Sequence, residues 1–178
     1  MIKPELNSQE KGFSLIELLI VVAIILIIAA IAIPNLLRAR MAANESSAAA
    51  GVRTVNTAQI TYNSTYPTVG FSGTLAALGG PIAAACTPTS TTACLIDGVI
   101  SNNGNPAGSG KNGYSFVVAP GASAVGILIQ YGVDASPINP NQTGVRAFCS
   151  VEDAVVRWDK SGACSTTHAT ILTFPPLN

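Results

Sequence analysis

The sequence predicts an α+β chain: one long N-terminal helix, apolar in its first half and amphipathic in its second, packed on a small antiparallel β-sheet head. Three observations carry this prediction. Residues 13–33 form an unbroken apolar run apart from Ser14 and Glu17. Residues 35–62 keep helical spacing in a more polar composition. Beyond residue 113 the apolar residues come in short β-branched and aromatic runs separated by Gly, Pro, Asn and Asp.

The chain has 178 residues, enough for one domain with a modest core. Only 10% of its residues are charged, low for a soluble domain. Nine basic and nine acidic residues cancel, so no nucleic-acid partner is expected from charge.

The apolar run explains much of the low charge. From residue 18 to residue 33 it reads LLIVVAIILIIAAIAI. Counted from Phe13 it is 21 residues, roughly 30 Å of helix, about the thickness of a bilayer core. It is too long for the apolar part of a secretory signal peptide, and no A-x-A site follows it. A plain membrane anchor would account for its length but not for Glu17, an acid where acids are costly.

Helix is expected to continue through Pro34, which removes one backbone donor and weakens the turn before it. Leu37, Met41, Ala48, Val52, Val55 and Tyr62 then recur at spacings of 4, 7, 4, 3 and 7, lining one face. Gly51 is expected to be a soft spot in that stretch. A helix over residues 13–64 would measure nearly 80 Å, with residues 13–34 for the membrane and residues 35–64 for the head.

Residues 65–112 read as an irregular connection, rich in turn signals, with a short turn of helix at Leu75–Leu78. Strands are expected at residues 114–119, 125–133, 145–151 and 154–158, with a tight hairpin at residues 151–154 and an exposed loop at residues 135–144. Residues 113–178 thus form the sheet and the C-terminal region. Tyr62, Tyr66 and Phe71 make an aromatic patch expected to pack on the head.

The four cysteines, Cys86, Cys94, Cys149 and Cys164, suit two disulfides in an oxidising compartment better than a metal site, because no CxxC pair is present and His168 is the only histidine. Four cysteines allow three pairings. Nearest neighbours, Cys86 with Cys94 and Cys149 with Cys164, would close two short loops.

No catalytic constellation is visible, and neither an enzyme nor a cofactor is expected. His168 stands in a Ser/Thr-rich tail and reads as a solvated surface residue. Asp153 and Asp159 flank the last strand, but calcium wants 6–8 oxygen ligands, so they read as turn residues. Three N-x-S/T triplets begin at Asn44, Asn63 and Asn141; such matches are common by chance.

Residues 1–12, MIKPELNSQEKG, are polar and end in Lys11-Gly12, and the segment KGFSLIELLIVVAIILIIAAIAIPNLLRAR follows. This segment closely resembles the N-terminus of type IV pilins and the related pseudopilins of type II secretion, over about residues 11–62. The resemblance implies that residues 1–12 are a leader, that prepilin peptidase cuts between Gly12 and Phe13, and that Phe13 becomes an N-methylated first residue. It makes Glu17 the fifth residue of the mature chain and places Pro34 at the family's helix-weakening proline. Phe13, Glu17 and Pro34 are then assembly residues.

The implied protein is a filament subunit that polymerises with its own copies. Prepilin peptidase, an assembly platform and motor proteins would be its partners, with the inner membrane as its site before assembly. Lys3 and Lys11 before the helix balance Arg38 and Arg40 after it. Orientation therefore rests on the cysteines and the leader, which put the N-terminus inside and residues 35–178 outside, finally on a pilus at the cell surface. Two alternatives stay open: a type II secretion pseudopilin, and a membrane-anchored binding protein that never polymerises.

Overall fold

In a computed structural model the chain is described for residues 12–82, 85–164 and 167–177. Residues 1–11 of the expected leader lie outside the described residues. The chain divides into two compact units, Met1–Arg38 and Ala39–Asn178. Helix α1 (Leu15–Thr65) contributes to both and contains Pro34.

In the second unit, four strands form an antiparallel sheet of order β1-β4-β5-β6: β1 (Tyr114–Pro120), β4 (Tyr131–Pro137), β5 (Ala147–Val151) and β6 (Arg157–Asp159). A separate small hairpin, β2 (Ser123–Ala124) and β3 (Ile127–Leu128), lies in the β1–β4 connection. Short helices α2 (Leu75–Leu78) and α3 (Gly98–Ser101) precede the sheet, and α4 (His168–Ile171) follows it.

The α+β arrangement is the one the sequence predicts, and the amphipathic part of α1 supplies its core. Ala48, Val52, Val55 and Tyr62 are buried, together with Tyr114, Phe116, Tyr131, Val133 and Phe148 from the sheet. Of the expected helical face, Met41 is half-buried and Leu37, in the first unit, is exposed.

Gly51 has a packing role besides the expected soft spot: it is a buried glycine where a Cβ would stand 2.7 Å from the Phe116 ring, so it lets the strand approach the helix. Gly51→Val is expected to lower unfolding stability by about 2 kcal/mol through overpacking, read as a shift in denaturant midpoint for the full chain in detergent. An unchanged midpoint would show that the space above Gly51 is not needed.

The opposite face of the sheet is covered by the C-terminal region. Cys149 on β5 is bonded to Cys164, and Cys149, Val151 and Ile171 form a second small core with Phe174. The β6 edge is also closed: the Trp158 N–H donates to the Pro175 carbonyl (3.1 Å), and the Leu177 N–H donates to the Val156 carbonyl (2.7 Å).

The 65–112 connection is more ordered than its composition suggests. Thr74 caps α2, and the Asp97 carboxylate accepts from the Val99 and Ile100 amides at the start of α3. Backbone bonds from Ala93 to Ala77 and from Leu95 to Leu78 fold the stretch on itself. The Cys86–Cys94 disulfide closes it beside Gly80, where a Cβ would meet the Cys86 sulfur.

Two strand expectations change. The run at 125–133 is not one strand: Val125 (φ 52°) and Gly126 (φ 81°) turn the chain back between β2 and β3. β4 then runs on to Pro137, into the expected loop, because Tyr114 to Pro120 pair with it along their whole length.

Candidate assembly site

Among the described residues, the apolar helix of the first unit has no cover. Leu15, Ile16, Leu18 and the large aliphatic residues through Leu37 are about half or more exposed. Helix α1 is long and apolar enough to cross a membrane, by length and composition. A helix that is apolar on all sides is stable only in lipid or against other helices.

Gly12 and Phe13 precede this helix and are exposed, Phe13 at 86%. Gly12 has open space around it. The bond between them therefore lies outside regular secondary structure.

Ser14 is the residue before α1, and its backbone N–H donates to the Glu17 Oε2 at 2.9 Å. The helix N-terminus leaves such amides without partners. Glu17 thus closes half of a capping box, the acidic residue three positions on bonding back to the N-cap amide. The S-L-I-E spacing at Ser14 to Glu17 is the signal that could have revealed this role. Pro34 lies within α1, so the Ala30 carbonyl lacks the usual amide donor four residues on.

A second polar set, missed by sequence reasoning, lies in the second unit. Glu45, Asn56 and Gln59 are buried on the helix face that carries Ala48, Val52 and Tyr62. Glu45 Oε1 accepts from the Val145 amide (2.9 Å) and the Arg146 amide (3.1 Å), while Oε2 meets the Arg146 guanidinium (2.8 Å). Burial pushes the Glu45 carboxyl up, but these amides and the guanidinium outweigh it, and its pKa falls below the usual glutamate value.

Asn56 donates to the Ser150 hydroxyl (2.8 Å) and accepts from the Tyr131 hydroxyl (3.0 Å). Gln59 pairs with both backbone groups of Ser72 (2.8 and 2.9 Å). The three residues tie the helix to β5, to the sheet centre and to the segment after the helix. Their signal was spacing: 45, 48, 52, 56, 59 and 62 advance by three or four residues, so polar residues share the apolar stripe.

Asp134, on β4, is a buried acid under the C-terminal region. It pairs in register with Cys149 and accepts from the Ser136 hydroxyl (2.7 Å). Burial raises its pKa to about 7, against the hydrogen bonds from Ser136 and the Cys164 amide.

His168 differs from its solvated reading. Its Nε2 lies 2.6 Å from Glu152 Oε1, partly buried. Asp153 is held by Arg157 (2.6 Å) and Asp159 by Ser161. Among the described residues, no group of three or more His, Cys, Asp or Glu side chains is placed to hold a metal ion.

An exposed apolar helix stands behind a Gly-Phe junction in a chain whose second unit is an α+β head. Residues 7–33 match the family model described as the prokaryotic N-terminal methylation motif. The chain is similar to the "Type IV major pilin protein PilA" of Myxococcus xanthus, 49% identical over 53 residues. That match covers 30% of this chain and 24% of the relative. It is also similar to the "Type IV wide pilus major component PilA4" of Thermus thermophilus, 69% identical over 36 residues, covering 20% of this chain and 28% of the relative. The chain spans about a quarter of the length of these curated relatives. No solved structure matches it.

Proposed function

We propose that this chain is a structural subunit of a bacterial type IV pilus. It would be made with a leader, held in the inner membrane by the first half of α1, and polymerised through that helix. The observation that carries the reading is the uncovered apolar helix directly behind the Gly12–Phe13 junction, within a methylation-motif match. The two curated relatives are both named as major pilus components, which supports it.

Each N-terminal residue gains a task in this reading. Prepilin peptidase hydrolyses the Gly12–Phe13 bond and the new Phe13 amine is methylated. Phe13 then carries a positive charge among apolar groups, and Glu17 supplies the opposite charge, in its own chain or a neighbour's. A paired charge in such a setting is tolerable, whereas an unpaired one costs several kcal/mol. Residues 13–33 of many copies exchange lipid contacts for helix packing, drawn out by the assembly platform and motor. Residues 35–178 stand outside the membrane, where two disulfides persist.

Intact-mass and N-terminal analysis of sheared surface fibres tests the reading. The expected product begins at N-methylated Phe13 and carries both disulfides. Gly12→Leu should leave an uncut precursor with no fibres, and Glu17→Leu should slow assembly while processing continues. Full-length chain in membranes, with no surface fibres, would sink the proposal. A secretion defect without fibres would mark a pseudopilin instead.

A further inference from the structure

The face of the sheet turned away from α1 is covered by a short piece of chain fixed on both sides. Before it, Cys164 is bonded to Cys149 on β5. After it, the Pro175 carbonyl and the Leu177 amide are hydrogen-bonded along β6. Between these points, α4 and the turn to Phe174 pack on β4 and β5. Their apolar hold is small. Of α4 only Ile171 is buried, beside Cys149 and Val151, while Ala169, Thr170 and Leu172 are exposed.

The polar contacts beneath this cover run through acids. The Asp134 carboxyl accepts from the Ser136 hydroxyl and from the Cys164 amide. No cation is given to it. Its neighbours in register are Val117 on β1 and Cys149 on β5, both uncharged. Arg157, the next in that row, is held by Asp153 at 2.6 Å. Beyond β6, Asp159 is bonded by Ser161, and Lys160 is exposed. The titratable group of α4 itself is His168, whose Nε2 lies 2.6 Å from Glu152 Oε1. The other oxygen of that carboxylate, Glu152 Oε2, is buried with no hydrogen-bond partner among the described residues. Glu152 therefore leans on His168 alone.

Rising pH acts on both contacts in the same direction. Burial raises the Asp134 carboxyl to about 7. A raised folded value means that the closed cover is favoured below it, and that this preference is lost as pH rises through it. The contact of His168 with Glu152 is an ion pair only while the imidazole is protonated, so its hold is greatest at acid pH. At alkaline pH two carboxylates lie under α4, and Arg157 is already engaged. A charged Asp134 needs water. The sheet closes it from one side, so water enters where α4 moves.

We infer that α4 and the turn to Phe174 form a flap that lifts from β4 and β5 above neutral pH, while the Cys149–Cys164 bond and the β6 edge keep its two sides anchored. The lifted state bares Val151 and the Cys149–Cys164 disulfide. This device belongs to the second unit and does not depend on the pilus reading.

Amide hydrogen exchange on the full chain in detergent tests it, expressed as protection factors so that the intrinsic pH dependence of exchange is removed. The Ile171, Leu172 and Phe174 amides, bonded within the flap, should be less protected than those of β4 at every pH. They should also lose about tenfold in protection from pH 6 to pH 8. Asp134→Asn should remove most of that loss, and Asp134→Asn with Glu152→Gln should remove the rest. A phosphine reductant should open Cys149–Cys164 faster at pH 8 than at pH 6, measured against Cys86–Cys94 in the same sample. Flap amides as protected as those of β4 would overturn the inference, because the segment would then open only when the whole head unfolds. So would protection that ignores pH, or an equal loss in Asp134→Asn. Should the Asn variant fail to fold, the wild-type flap and disulfide measurements decide alone: an unchanged ratio of the two reduction rates overturns the flap.

Discussion

Replacing Glu45 by leucine is expected to destabilise the head by about 3 kcal/mol, at the scale of a broken buried ion pair and stranded amides. The substitution keeps an apolar stem on the helix but removes the acceptor for the Val145 and Arg146 amides. It also frees the Arg146 guanidinium, which lies 5.7 Å from the Phe148 ring centre and 5.6 Å from that of Trp158. The loss should appear as a lower denaturant midpoint with an unchanged slope, measured on the full chain in detergent. Glu45→Gln keeps one acceptor oxygen and should cost less than half as much. Equal midpoints for wild type and Glu45→Leu would show that the clamp adds nothing.

The clamp has a pH signature. The folded-state pKa of Glu45 is lowered, so its contribution is complete above the ordinary glutamate pKa and is lost as pH falls through the folded value. The Glu45→Leu variant should lack that part of the acid destabilisation.

Asp134 produces the second large effect, with the opposite sign. Its folded value of about 7 lies above the ordinary 3.8. The folded head holds a proton that the unfolded chain releases, so stability is greatest below the unfolded value and falls as pH rises through about 7. Some three pH units correspond to a loss of about 4 kcal/mol by pH 8. Asp134→Asn should remove this slope and leave the Asn variant more stable than wild type at pH 8. Ser136 and the Cys164 amide face the carboxyl. Arg157, two strands away in the same register row, is engaged by Asp153. Thermal midpoints from pH 4 to 8 would measure the slope; parallel profiles for the two proteins would refute it.

Much of the architecture was legible because it depends on local pattern. The apolar run and the three-and-four spacing after it define α1, and short β-branched runs define most of the sheet. The errors arose where long-range pairing or close approach decided the outcome. A run from 125 to 133 reads as one strand until the backbone turns at Val125 and Gly126. Nothing local to Gly51 announces the Phe116 ring that packs against it. Glu45, Asn56 and Gln59 look like surface residues because nothing local names the amides and hydroxyls they meet up to about a hundred residues later.

The N-terminal methylation motif was legible in a different way. Gly12, Phe13 and Glu17 sit at fixed offsets along one stretch of chain within it, so the pattern needs no tertiary fold to be recognised. The bond from the Ser14 amide to Glu17 adds something the pattern did not state: the carboxylate already has a partner before any neighbour arrives. Pairing with an amine in a filament would be an exchange of partners, and its net gain is correspondingly smaller than that of a free acid.

The closed edge of β6 bears on how such a chain behaves when crowded. Subunits packed side by side at high local concentration risk joining through unpaired strand edges, which propagate as ordered aggregates. Here the segment Pro175-Pro176-Leu177 lies along that edge and takes up its hydrogen bonds. Proline offers no amide for a further strand. Residues 175–177 thus act as a stopper against runaway sheet growth on that side.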